Sequence, residues 1–100
     1  MGNKIEKEVI RTDAAPAPVG PYNQAIATPS APRMLFLAGQ IPLDPATGKL
    51  ITGTVAEQTD RVLQNVHAVL SAAGADFSNV VKTTVFLADM ADFPEMNGVY

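Results

Sequence analysis

The 100-residue sequence predicts an α+β fold, a small sheet packed on two helices within a single domain. Three observations carry this. Short apolar and β-branched runs bounded by Pro and Gly occupy the first forty positions. A capped amphipathic helical pattern follows, and beyond it a second β-rich run, Val80–Leu87, leads into another helical pattern that ends at Tyr100.

Taken in order, Lys4–Thr12 sets Ile5, Val9 and Ile10 among charges and reads as a short, partly exposed strand. Asp13–Pro21 is Ala/Pro-rich, and Pro16, Pro18 and Pro21 remove donors and fix φ, so it is irregular. Asn23–Thr28 reads as a strand closed by the turn Pro29-Ser30-Ala31-Pro32, and Met34–Ala38 as the next strand. Asp44–Lys49 carries turn chemistry, with Gly48 suited to positive φ.

The clearest helix begins at Thr54, which with Glu57 fits a capping box. Ala56, Thr59, Val62 or Leu63, Val66, Leu70 and Ala73 recur every three or four residues, and Gly74 stands where a left-handed C-cap wants glycine. Asp60, Arg61 and Gln64 lie off that stripe. The near-continuous apolar run Val80–Leu87 predicts a strand covered on both faces. A second helix then opens near Asp89, with Asp92 available as cap and Phe93, Met96 and Tyr100 spaced for one face. The order of three strands, helix, strand, helix lacks the closing strand of a ferredoxin-like sheet. The expectation is one domain over residues 1–100 whose C-terminal portion is missing.

Composition narrows the function. With 47% hydrophobic and 17% charged residues the chain reads as globular. A net charge of −3, with Lys4, Lys7, Arg11, Arg33, Lys49, Arg61 and Lys82 scattered, argues against nucleic acid as a partner. The absence of cysteine excludes disulfides, thiolate catalysis and Cys-based zinc sites, and His67 alone makes no His-rich metal site. Met1-Gly2 has the glycine of a myristoylation motif but Glu6 where Ser or Thr is wanted. No apolar run approaches the ~20 residues of a membrane helix, and no signal peptide is visible, so a cytoplasmic protein without a membrane partner is expected.

The segment Leu35-Phe36-Leu37-Ala38-Gly39-Gln40-Ile41-Pro42 changes character most abruptly. A hydrophobic strand that ends in Gly-Gln-x-Pro leaves backbone N–H groups without ladder partners, and such groups can hold a carboxylate. Plainer readings stand beside this one. Gly39 marks a bulge or close approach, Gln40 bonds local backbone in a turn, and Tyr22 is a loop aromatic on the sheet. Asn97 is a solvated helix residue, His67 a helix-edge histidine, and Asp89 and Asp92 are helix caps.

Five collinear motifs carry a resemblance over nearly all of residues 5–100. They are Gly20-Pro21-Tyr22-Asn23-Gln24-Ala25, Ala38-Gly39-Gln40-Ile41-Pro42, Asn65-Val66, Val81–Leu87, and Asp92-Phe93-x-x-Met96-Asn97-x-x-Tyr100. Together they resemble the reactive intermediate deaminase family, also called the YjgF family. The resemblance implies a chorismate-mutase-like α+β fold and a homotrimer with three intersubunit clefts. It implies hydrolysis of enamine and imine acids, such as 2-aminoacrylate and 2-iminopropanoate, released by pyridoxal-phosphate enzymes, with no cofactor of its own.

By the same resemblance Gly39 lies at the carboxylate-binding strand end with Ala38 and Gln40, Tyr22 lines the cleft, and Asn97 lies nearby. An arginine and a glutamate of the family pattern fall beyond Tyr100. Family deaminases commonly carry serine where this chain has Ala38, and loss of that hydroxyl would cost on the order of 1 kcal/mol. Reduced or redirected activity is therefore expected, and a non-catalytic carboxylate-binding regulator is the main alternative. RNA cleavage, translation inhibition or holdase activity, attributed to some relatives, is less favoured by the acidic composition.

Overall fold

Three short strands form where apolar residues alternate with solvent-facing ones: β1 (Glu8–Ile10), β2 (Ala25–Ala27) and β3 (Leu35–Leu37). The structure is a computed structural model that describes residues 7–18, 20, 22–29 and 33–100. The sheet is an antiparallel meander in the order β1-β2-β3. Ile10 faces Ala25, which faces Leu37, and Ala27 faces Leu35, so one sheet face is small and aliphatic. The opposite face presents Val9, Ile26 and Phe36 in register. The expected start of β1 at Lys4 and the turn at Ser30–Pro32 lie outside the described residues, as does Pro21.

Helix α1 (Val55–Ala72) covers the aliphatic face. Its start follows the sequence expectation with one change. The Thr54 hydroxyl oxygen accepts from the Glu57 N–H at 3.1 Å, but Glu57 returns to the Thr54 hydroxyl, not to its backbone N–H. At the other end Gly74 takes φ +78, and Ala75 N–H donates to Leu70 O while Gly74 N–H donates to Ser71 O. Those two bonds make a Schellman C-cap, which needs a residue free to adopt the left-handed region. The core lies between the sheet and this helix, where Ile10, Ala15, Ala25, Ala27 and Val69 pack together with Leu35 and Leu37 against them. Val69 and Asn65, at the centre of the buried face, are both fully enclosed.

The second half departs further from expectation. Val80–Leu87 joins no ladder among the described residues, so the β-α-β crossover expected of a ferredoxin-like sheet is not formed there. The physical reason is pairing: β-branched residues favour strands only where a neighbouring strand takes their backbone groups and side chains. Here Val81 is 95% and Phe86 91% exposed. Asp89, not Asp92, makes the capping bond that follows, accepting from Ala91 N–H in the 3-10 turn Met90–Asp92. Helix α2 (Phe93–Val99) then runs from Asp92, which makes no side-chain cap. Only Met96 of the expected apolar face is buried, and Phe93 and Tyr100 are about half exposed. The Glu95 carboxylate docks α2 onto α1 by accepting from Ala56 N–H at 2.8 Å.

Candidate functional site

A cavity of about 300 Å³ opens where β3 ends, at the lower limit of small-ligand sites. Its walls come from three stretches: Pro16–Pro18 of the Ala/Pro segment, Tyr22–Gln24 before β2, and Ala38–Ile41 with Leu43 after β3. Four of the five residues expected from sequence, Tyr22, Ala38, Gly39 and Gln40, thus meet in one wall. Asn97 does not; it is exposed on α2, outside the cavity lining of this chain.

Two buried amides that the element-by-element reading passed over build these walls. Gln24, 4% exposed, accepts from Thr12 N–H at 2.7 Å and donates to the carbonyls of Thr12, Ala15 and Pro16 at 2.8, 3.2 and 2.9 Å. The reason is supply and demand, since prolines keep their carbonyl acceptors but bring no N–H donors. One glutamine amide therefore folds the Ala/Pro segment against the sheet and shapes that side of the cavity. Asn65 does the same from α1, donating to Ile41 O at 3.1 Å and Leu43 O at 2.9 Å. The sequence marked both only as members of the motifs Gly20–Ala25 and Asn65-Val66, with no bonding role attached.

The strand end itself is partly as expected. The ladder runs one residue past β3, because Ala38 N–H donates to Gln24 O at 2.9 Å and is not free. Beyond it, no acceptor among the described residues takes the N–H of Gly39 or Gln40. The Gln40 side chain reaches back only weakly to Ala38 O, at 3.4 Å. Gly39 is not in the left-handed region, and a Cβ placed there would meet nothing within 4 Å. Neither a turn nor close packing explains this glycine within the chain. Tyr22 lines the cavity while 67% exposed, and its N–H donates at 2.8 Å to the carbonyl of Gly20, a glycine with φ +124.

Among the described residues the wall holds no charged side chain, so its polarity is that of backbone, amides and the Tyr22 phenol. Among the described residues no cluster of three or more His, Asp or Glu side chains could hold a metal ion, and no helix is long and apolar enough to cross a membrane. Among the described residues a perturbed carboxyl lies elsewhere. The Ser78 hydroxyl and N–H donate to Asp76 and hold its carboxyl below its ordinary pKa.

The profile of the family described as Endoribonuclease L-PSP matches residues 12–100, which include all three cavity stretches. The chain belongs to the Endoribonuclease L-PSP family. This is the reactive intermediate deaminase family whose motifs the sequence carries. A RutC family protein of Pyrococcus horikoshii is 53% identical over 94 residues, covering 94% of this chain and 72% of the relative. The 2-iminobutanoate/2-iminopropanoate deaminase of Mus musculus is 47% identical over 98 residues, covering 98% of this chain and 70% of the relative. Among solved structures, E. coli TdcF with bound serine matches with a TM-score of 0.85 at 40% identity. That match covers 93% of this chain and 70% of TdcF. The family's α+β architecture is therefore that of this chain, and deaminases of imino acids are among its relatives.

Proposed function

We propose that the cavity binds a small 2-imino acid by its carboxylate and promotes hydrolysis of its C=N bond. The observation that carries this reading is the pair of adjacent N–H groups, Gly39 and Gln40, without acceptors among the described residues, on the wall of a ligand-sized cavity. Backbone N–H groups at a strand end suit a carboxylate because they are fixed before the ligand arrives. The chemistry asks little more. The imine carbon is already electrophilic, so water adds to it as the π electrons pass to nitrogen, which takes a proton. The resulting carbinolamine expels ammonia and leaves a 2-oxo acid. Tyr22 flanks the bound acid and limits its access to solvent.

A charged partner for the carboxylate is outside this wall. The reading assigns it to the arginine, and proton handling to the glutamate, of the family pattern beyond Tyr100. It also places the cavity in a trimer's cleft, where the exposed Val9–Phe36 sheet face meets other subunits. Asn97 has no step within one chain and enters only through that assembly.

A second reading, a non-catalytic carboxylate-binding regulator, draws support from Ala38, which puts a methyl group where a hydroxyl would address water. One experiment separates the two. The protein is supplied with 2-iminobutanoate generated in place by an amino-acid-deaminating enzyme, and formation of 2-oxobutanoate is compared with the uncatalysed rate. Acceleration, increased roughly fivefold in Ala38→Ser, supports the enzyme, the factor being that of one neutral hydrogen bond. Saturable binding of 2-oxobutanoate without acceleration supports the regulator. Neither binding nor acceleration rejects both.

A further inference from the structure

Asn65 is an unusual choice for the middle of a helix face otherwise occupied by Val69 and Leu70. A leucine would fill the space, and an enclosed amide costs stability unless every polar atom is bonded. Every one is. The side-chain oxygen accepts twice from Arg61, from Nε at 3.2 Å and Nη2 at 2.8 Å. The amide NH₂ spends its two hydrogens on Ile41 O and Leu43 O.

The direction of this amide is fixed by chemistry. A guanidinium can only donate, so Arg61 holds the oxygen of Asn65 toward itself and turns the NH₂ to the loop. The loop needs such a donor from outside. Pro42 brings no N–H, and apart from Asn65 the one donor to Ile41 O among the described residues is Leu43 N–H, at 2.7 Å, across the bend. Among the described residues, Asn65 supplies the hydrogen bonds from α1 to this loop. Ile41 directly follows Gly39 and Gln40, which line the cavity and whose N–H groups find no acceptor among the described residues, so the carbonyl that Asn65 holds lies next to that pair in the chain.

We infer that Asn65, locked in orientation by Arg61, is a positioning residue that sets the Gly39 and Gln40 N–H groups for a ligand carboxylate. The inference rests on the carboxylate-binding reading above and names what holds that site in shape. Asn65→Asp is the decisive variant. It keeps size and the pairing with Arg61 but turns a carboxylate toward two carbonyls in place of two donors. Arg61→Lys, on a partly buried position, is the gentler companion should the first fail to fold, since lysine keeps the charge but loses the two-pronged grip.

Two readouts are taken on the whole chain: amide proton NMR of the unliganded protein, and binding of 2-oxobutanoate with hydrolysis of 2-iminobutanoate. The expected result is shifted, faster-exchanging Gly39 and Gln40 amides. Affinity for 2-oxobutanoate falls roughly tenfold, and KM rises by a similar factor while kcat stays within about twofold, the pattern of lost ground-state binding. Arg61→Lys gives the same pattern at smaller size. Unchanged Gly39 and Gln40 amides, or a lower melting temperature with KM unmoved, overturns the inference. A parent protein that neither binds 2-oxobutanoate nor hydrolyses the imine overturns the functional reading instead, and the amide signals still judge whether the latch shapes the loop.

Discussion

At Gly39 the backbone does not need a glycine, and a methyl group would collide with nothing inside the chain. In the proposed carboxylate site, the glycine is where a ligand approaches an N–H closely. Gly39→Ala is therefore expected to leave stability within about 0.5 kcal/mol of the parent. The same change should weaken binding of 2-oxobutanoate by roughly tenfold, as one charge-assisted hydrogen bond is lost. Thermal unfolding and a calorimetric titration measure the two effects on one sample, and a stability loss equal to the binding loss would reduce Gly39 to a packing residue. At this scale the sequence was half legible. Gly39 and Tyr22 stood out because their surroundings are chemically abrupt. The folding roles of Gln24 and Asn65 did not, because an amide's bonding partners twelve and twenty-four residues away are set only by the fold.

Elements were legible wherever the signal was local. Thr54 and Gly74 bounded α1 because a cap is satisfied by residues within one turn, and strands β2 and β3 fell inside their expected ranges. Leu70 of the expected stripe is buried, and the two fully enclosed residues of α1, Asn65 and Val69, each stand one position before the stripe's Val66 and Leu70. Val69 closes the core against Ile10, Ala25 and Ala27, so Val69→Ala removes two enclosed methyl groups and should cost about 2–3 kcal/mol. Chemical denaturation with an unchanged slope would show it, and a cost below that of an exposed site would contradict the packing.

The 3-10 turn Phe77–Asn79 makes a different prediction. Asp76 caps it as a carboxylate, and its pKa is depressed by the Ser78 hydroxyl and N–H. A depressed carboxyl stabilises the fold above its unfolded pKa and loses that contribution as pH falls through the folded one. Exchange at the Ser78 amide should therefore quicken as pH falls below about 4 relative to intrinsic rates. The Phe77 ring, 5.6 Å from His67, should loosen in the same window. Asp76→Asn should abolish the pH dependence; a variant that titrates like the parent would assign the effect elsewhere.

For the whole molecule, the radius of gyration of 15.0 Å exceeds the roughly 13 Å expected of a closed 100-residue domain. The excess has a chemical counterpart in Phe36, Val81 and Phe86, large apolar groups at 60%, 95% and 91% exposure. The Val80–Leu87 run was read as a covered strand because its apolar content demands cover. What the sequence could not supply is which surface provides it, since a strand's partner is non-local. In the trimeric reading, neighbouring subunits cover the outer sheet face, and a charge there should be intolerable in the assembly yet harmless to the chain. Phe36 lies on that face on the edge strand β3, beside Ile26 of the central strand, and its removal opens no cavity in the core between sheet and α1. Phe36→Lys is thus expected to convert a trimeric mass in light scattering to a monomeric one while the helical circular dichroism of α1 persists. Imine hydrolysis should fall with the trimer, because the cleft requires it. A parent protein that scatters as a monomer would remove the intersubunit site, and a Phe36→Lys protein that stays trimeric would move the interface off this face.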